Sequence, residues 1–108
     1  MLSESEILRK AIRMAPLVRS ITSEARDRTE AIGRLEFRLK RLLSRHGDQL
    51  TKIRLVEGAL FVQRRAIDQL RRELAPLNCT LDQEHPERIV WHVANREVCF
   101  EEQIRVVR

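Results

Sequence analysis

Apolar residues recur along the first part of the chain at alternating spacings of four and three, which is typical of a coiled-coil seam. The positions are Ile7, Ala11, Met14, Val18, Ile21, Ala25, Arg28, Ile32, Leu35, Leu39, Leu42 and His46, and the apolar series is broken only at Arg28 before its end at His46. Ser3 and Glu6 form a capping box just before this series. The pattern predicts a helix over about 4–46. Because Pro16 removes a backbone donor inside it, we expect a kink or a short break there.

The same spacing returns after Gly47 and predicts a second helix over about 48–75. Its positions are Ile53, Val56, Leu60, Gln63, Ile67, Leu70, Leu74 and Leu77. If the chain folds back at Gly47, each seam position of one helix meets a seam position of the other, for example Leu42 with Ile53 and Ile21 with Leu74. The two seams therefore predict a long antiparallel helical hairpin, in which the first helix overshoots the second by the turns from Ile7 to Met14.

The segment 78–108 alternates apolar and polar residues, which predicts strands. Residues 88–94 and 97–101 flank a two-residue turn at Asn95-Arg96, so we expect a β-hairpin in which Trp91 faces Phe100. A further short strand near 78–81 would make it a three-stranded sheet. The predicted fold class is α+β, a single domain over 1–108 in which the β-rich segment covers the overshooting turns of the first helix.

Composition narrows the class of protein. The chain of 108 residues has room for one domain, and aromatic residues make up only 4%, so the core should be aliphatic. No apolar run approaches the roughly 20 residues that span a bilayer, and the acidic start is unlike a signal peptide. Two cysteines are too few for a disulfide framework. We therefore expect a cytoplasmic protein with no membrane association and no cofactor.

Positive charge is concentrated in the helices. Residues 1–76 carry 17 basic and 10 acidic side chains, whereas residues 77–108 carry 4 and 6. The predicted hairpin tip, residues 34–54, has two acids against seven bases: Arg34, Arg38, Lys40, Arg41, Arg45, Lys52 and Arg54. This cluster is a candidate nucleic-acid site that would hold phosphates. The alternative is a solvated surface neutralised by helical pairs such as Glu24–Arg28, Glu30–Arg34 and Glu36–Lys40. No exposed stacking aromatic residue is expected beside the basic tip.

A second apolar stripe lies beside the seam of the second helix. It consists of Leu55, Ala59, Val62 and Ala66. A lone hairpin buries one stripe per helix, so a second stripe indicates another partner. Either the β layer folds over it, or a second copy of the chain packs there, or the stripe is simply shallow core.

The predicted β-rich segment carries the candidates for metal binding or nucleophilic chemistry, with Glu97, Glu101 or His85 as a possible fourth metal ligand. Cys99 and His92 are cross-strand partners in the predicted register, and Cys79 could lie on an adjoining strand, a set of ligands that suits Zn²⁺. Cys99 with His92 as its base could equally serve as a nucleophile. The spacing matches no metal motif, and no third group orients the pair. We therefore expect neither a metal site nor an enzyme.

The order of these parts resembles the uncharacterised bacterial domain-of-unknown-function family 2203. The likeness lies in residues 11–21, in residues 73–81, and in the closing Arg96-Glu97-Val98-Cys99-Phe100. It implies two long helices followed by a cysteine-containing strand and a final hairpin, and it implies no activity. The sequence as a whole predicts a non-enzymatic interaction or scaffold protein that forms a homodimer. The alternative is a nucleic-acid-associated protein acting through its basic tip.

Overall fold

The first helix, α1, dominates the computed structural model, which describes residues 3–45, 47–82, 85, 88–101 and 103–107. α1 spans Glu4–Leu43, and the Ser3 Oγ caps it by accepting a hydrogen bond from the Glu6 amide at 3.2 Å. The helix continues through Pro16, so no break interrupts the seam. It ends three residues before the predicted boundary, and His46 lies outside the described residues. The left-handed φ of +100° at Gly47 turns the chain back.

The second helix, α2, spans Leu50–Leu74 and runs antiparallel to α1, as predicted. The Asp48 carboxylate accepts a hydrogen bond from the Leu50 amide at 3.1 Å at its start. A single 3₁₀ turn, Ala75–Leu77, follows α2, and Asn78 then adopts the left-handed conformation with φ 58°. This turn redirects the chain into the sheet.

Four strands form one antiparallel sheet in chain order: β1 (Cys79–Leu81), β2 (Ile89–Val93), β3 (Arg96–Phe100) and β4 (Ile104–Val106). The possible strand near 78–81 is therefore present. The sheet has one strand more than predicted, because the chain bends at Glu101 after β3 and returns as β4. Residues 83, 84, 86 and 87, between β1 and β2, and residues 102 and 108 lie outside the described residues.

The hairpin turn between β2 and β3 lies one residue earlier than predicted. Ala94 and Asn95 occupy it with φ values of 47° and 62°, the positive φ that a two-residue turn of this kind requires at both positions. Trp91 consequently pairs with Val98 and not with Phe100. Moving the turn by one residue shifts each pairing by two positions, so the same side chains still face the helices.

The hydrophobic interior is divided into two parts along a rod of 64 × 21 × 20 Å. The root core joins the helices to the sheet; its buried members are Ile7, Ala11, Val18, Ile21, Ala25, Ile67, Leu70, Leu74, Cys79, Leu81, Ile89, Trp91, Val98 and Phe100. The tip core, near the helix connection, buries only Leu42, Val56 and Leu60. Ile7 and Ala11 are fully buried in the root core. The expectation that the β segment covers the overshooting helix is therefore confirmed.

Candidate functional site

A groove lined mainly by cations runs along one side of the hairpin tip, and we call it the basic groove. Its lining consists of Phe37, Arg38, Arg41, Leu42, Arg45 and Lys52. Arg38 and Arg41 are three residues apart on α1, so they lie close together on the helix surface, and Arg45 follows just after α1 ends. Lys52 joins them from the first turn of α2. The structure thus brings together four of the seven basic residues that the sequence singled out.

The other three predicted basic residues are placed differently. Arg34 is exposed one turn before Arg38 and continues the arginine row along α1. Lys40 lines a groove on the opposite side of the hairpin. Arg54 is exposed on α2 and lines neither groove. The basic tip is therefore not a uniform patch, because the cations are divided between two sides of the rod.

The groove on the opposite side, which we call the mixed groove, carries both signs of charge. It is lined by Glu36, Leu39, Lys40, Leu43, Glu57, Leu60, Phe61, Arg64, Arg65 and Asp68. Three carboxylates accompany three cations here, whereas no acid lines the basic groove. Only the basic groove presents an uncompensated positive field to an anion.

An exposed aromatic residue lies in the basic groove. The Phe37 side chain is 64% exposed, and the Arg41 guanidinium carbon stands 6.0 Å from the centroid of its ring. The expectation that no stacking aromatic accompanies the basic tip is therefore wrong. The sequence signal was available in the position of Phe37, which is off the seam and four residues before Arg41.

The cations of the basic groove are not neutralised by neighbouring acids. Of the three predicted helical pairs, the structure forms Glu24–Arg28, at 3.4 Å, near the middle of α1. Within the described part of the chain, Arg38, Arg41, Arg45 and Lys52 make no ion pair. Their charge is therefore open to an outside ligand.

The apolar stripe of Leu55, Ala59, Val62 and Ala66 remains uncovered. Leu55 and Val62 are largely exposed, and the two alanines are half-buried. The sheet packs at the root, where it meets Ile67, Leu70 and Leu74 of α2. The alternative in which the β layer folds over the stripe is therefore wrong.

The proposed metal ligands do not share a face of the sheet. Cys79 is buried in the root core, whereas Cys99 lies on the outer face opposite Val90. His92 pairs with Glu97, and its Nε2 lies 2.9 Å from the Thr80 Oγ1. The predicted cross-strand pairing of His92 with Cys99 is wrong, because the turn is shifted. Among the described residues, no group of three or more potential ligands could hold a metal ion.

Both cysteines are free thiols that resist ionisation. Burial raises the pKa of Cys79 to about 11. Burial also raises the pKa of Cys99, and the nearby Glu101 carboxylate adds to this effect while Arg88 opposes it. Because the thiolate is the nucleophile and the metal ligand, this environment disfavours either role for these cysteines at neutral pH.

A polar contact joins the two helices within the seam. The Arg28 guanidinium donates a hydrogen bond to the Gln63 amide oxygen at 3.2 Å. Both residues are the polar exceptions in otherwise apolar seams. A polar pair at such a position can fix the register of two helices.

The fold and these surfaces define a small α+β protein built on a helical hairpin, with one basic groove at the tip and one uncovered apolar stripe on α2. The chain matches no protein-family model, no curated protein and no solved structure. The resemblance to the bacterial domain-of-unknown-function family 2203 therefore stays a prediction. In the described part of the chain, no helix has the length and apolar character needed to cross a membrane.

Proposed function

We propose that the protein is a non-enzymatic interaction module that forms a homodimer through the apolar stripe on α2. The observation that carries this proposal is the uneven distribution of exposed apolar side chains. Of the nine large hydrophobic residues exposed in the described part of the chain, six lie between positions 37 and 62. The tip core buries only three residues in that same region. Exposed apolar surface concentrated in one region is typical of an interaction site.

A second copy of this chain fits the stripe by size. If two α2 helices pack antiparallel, Leu55 meets the partner's Ala66, and Val62 meets the partner's Ala59. Each large side chain then faces a small one, an alternation that lets two helices interdigitate. The same register applies from either copy, as a two-fold axis requires. The resulting dimer would be a four-helix arrangement.

Electrostatics favour the antiparallel arrangement. The stripe is bounded at one end by Lys52 and at the other by Gln69, and the same register places these two opposite each other. The two-fold axis passes between residues 60 and 61, so the two Lys52 side chains lie about 26 Å apart along the helices. This distance exceeds the Debye length of about 8 Å at physiological salt. The basic tips therefore do not repel each other strongly.

Mass measurement tests the proposal. At micromolar concentration, light scattering should give about twice the chain mass of 12.8 kDa. Val62→Glu places a charge beside the axis and should give the monomer mass. Ile12→Glu is the matched control, because Ile12 is 62% exposed against 59% for Val62 but lies in α1, away from the stripe. It should leave the dimer intact.

A compensating variant tests the register. Combining Ala59→Lys with Val62→Glu places opposite charges across the proposed interface and should restore the dimer. A wild-type chain that stays monomeric at every concentration would contradict the proposal, as would a Val62→Glu variant that still dimerises. A cytoplasmic location also stays a proposal, supported by the two free thiols.

A further inference from the structure

We propose that the basic groove binds single-stranded nucleic acid, with its cations on the phosphates and the Phe37 ring stacked on a base. The proposal does not depend on dimer formation, because the groove and the apolar stripe use different residues. It sharpens the sequence-based alternative of phosphate binding at the tip, since it names the strand form and the stacking residue.

The cations of the groove suit a chain of phosphates. Arg38 and Arg41 are one turn apart on α1, a rise of about 4.5 Å, and Arg45 lies two residues past the end of the helix and lines the same groove. Lys52 widens the row from the facing helix. A groove that holds four unpaired cations and no acid attracts a polyanion more strongly than a single charge. Release of counterions from the phosphates would then drive binding.

Phe37 supplies an aromatic surface on which a base can stack, which a site made only of cations lacks. Its ring is exposed at the edge of the groove and has the Arg41 guanidinium 6.0 Å from its centroid. Exposed aromatic rings beside a basic groove are the recurring means by which proteins hold unpaired bases. A duplex keeps its base faces stacked inside the helix, so this ring would gain nothing from double-stranded DNA.

The mixed groove offers an internal comparison. Phe61 is 61% exposed, and the Arg65 guanidinium carbon lies 6.0 Å from its centroid, which matches the arrangement of Phe37 and Arg41. Phe61, however, shares its groove with three carboxylates. Two nearly identical aromatic–arginine pairs thus differ in the charge around them. Only the pair in the basic groove should bind a polyanion.

Fluorescence anisotropy with the full-length chain tests this inference. The probes are fluorescein-labelled oligo-dU and oligo-U of roughly 15 nucleotides, together with a duplex of the same length. Four phosphate contacts predict a slope of about −3 for log K against log salt concentration, or about a 50-fold loss of affinity from 50 to 200 mM salt. Comparing oligo-dU with oligo-U, which differ in the sugar alone, shows which sugar the groove prefers.

Matched variants separate stacking from charge. Phe37→Ala should weaken single-strand binding about tenfold and leave the salt slope unchanged. Arg41→Gln should weaken binding and reduce the slope by about 0.7. Phe61→Ala should have no effect on either quantity. Circular dichroism of each variant should confirm that the helices are retained.

Four results would overturn the inference. The first is an absence of binding to either single strand at low salt. The second is duplex binding as tight as single-strand binding. The third is an equal effect of Phe37→Ala and Phe61→Ala. The fourth is binding of poly-glutamate with equal affinity and without loss in Phe37→Ala, which would assign the groove to an acidic polypeptide.

Discussion

The packing of the sheet against the first turns of α1 can be tested by truncating one side chain. Ile7 is fully buried in the root core, and Ile12 is 62% exposed on the same helix. Ile7→Ala removes buried methyl groups and leaves a cavity, which costs about 2–5 kcal/mol. Ile12→Ala should change the free energy of unfolding by less than about 0.5 kcal/mol, since alanine is also the better helix former.

Urea denaturation measures this difference with two probes. Trp91 is the only tryptophan and lies in the sheet, so its fluorescence reports the root, while far-ultraviolet circular dichroism reports the helices. For a loss of about 3 kcal/mol and a slope of about 2 kcal/mol per molar, the midpoint should fall by about 1.5 M. The protein concentration must be equal throughout, because dimer formation would shift the midpoint.

The reasoning fails if Ile7→Ala and Ile12→Ala unfold at the same urea concentration. It also fails if Ile7→Ala shifts the circular dichroism transition and leaves the Trp91 transition in place, because the sheet would then not depend on α1. Ile7→Val adds a graded control. It should cost about 0.5–1.5 kcal/mol and so lie between the wild-type chain and Ile7→Ala.

Three further predictions follow from local features. Ala94 holds a φ of 47°, so Ala94→Gly should stabilise the protein by about 1 kcal/mol, and an unchanged or lower melting temperature would contradict this. Burial raises the pKa of the Cys79 thiol from 9.0 to about 11, so the folded state holds the thiol proton more tightly than the unfolded state. This contribution to the free energy of unfolding is complete below pH 9 and is lost as the pH rises to about 11. Cys79→Ala should therefore flatten the dependence of stability on pH across this range. Gln63→Leu should cost about 0.5–1.5 kcal/mol by removing the hydrogen bond between the helices, although Arg28 keeps its ion pair with Glu24, and the further change Arg28→Met should recover most of that loss in thermal unfolding.

The helical hairpin could be predicted because its information is local and repeated. Nearly every turn of both seams carries an apolar residue, with Arg28 and Gln63 as the polar exceptions, and a reversal at Gly47 brings the two seams together. The cap at Ser3 and the cover over Ile7 followed from the same pattern. The end of α1 could not be placed, since residues 44 and 45 are compatible with both helix and turn.

The register of the β-hairpin could not be predicted from the sequence. Asn95-Arg96 and Ala94-Asn95 are both possible two-residue turns, and neither contains the glycine that would decide between them. Both choices leave Trp91 and Val98 facing the helices. The burial pattern therefore could not distinguish them. The position of the turn nevertheless decided whether His92 faces Cys99 or Glu97, and with it the candidate metal and nucleophile sites.

The two sides of the tip could not be separated from the sequence either. A helical wheel places Arg38 and Arg41 on one flank of α1, but whether Lys52 joins them depends on how α2 is rotated against α1. The same rotation leaves Lys40 among the carboxylates of the mixed groove. The candidate site is thus a property of the packed pair of helices, whereas the exposure of Phe37 beside Arg41 follows from α1 alone.

Buried apolar side chains are distributed unevenly along the rod. The root core joins helices and sheet through fourteen buried residues, whereas the tip core has three. A helix gains most of its stability from tertiary packing of its apolar face, so the tip is the part that a ligand or a second copy can stabilise further. The basic groove lies at the tip, and the apolar stripe begins beside it on α2, on a different row of side chains. The two proposed interactions therefore use separate surfaces, and neither of these surfaces belongs to the root core that maintains the fold.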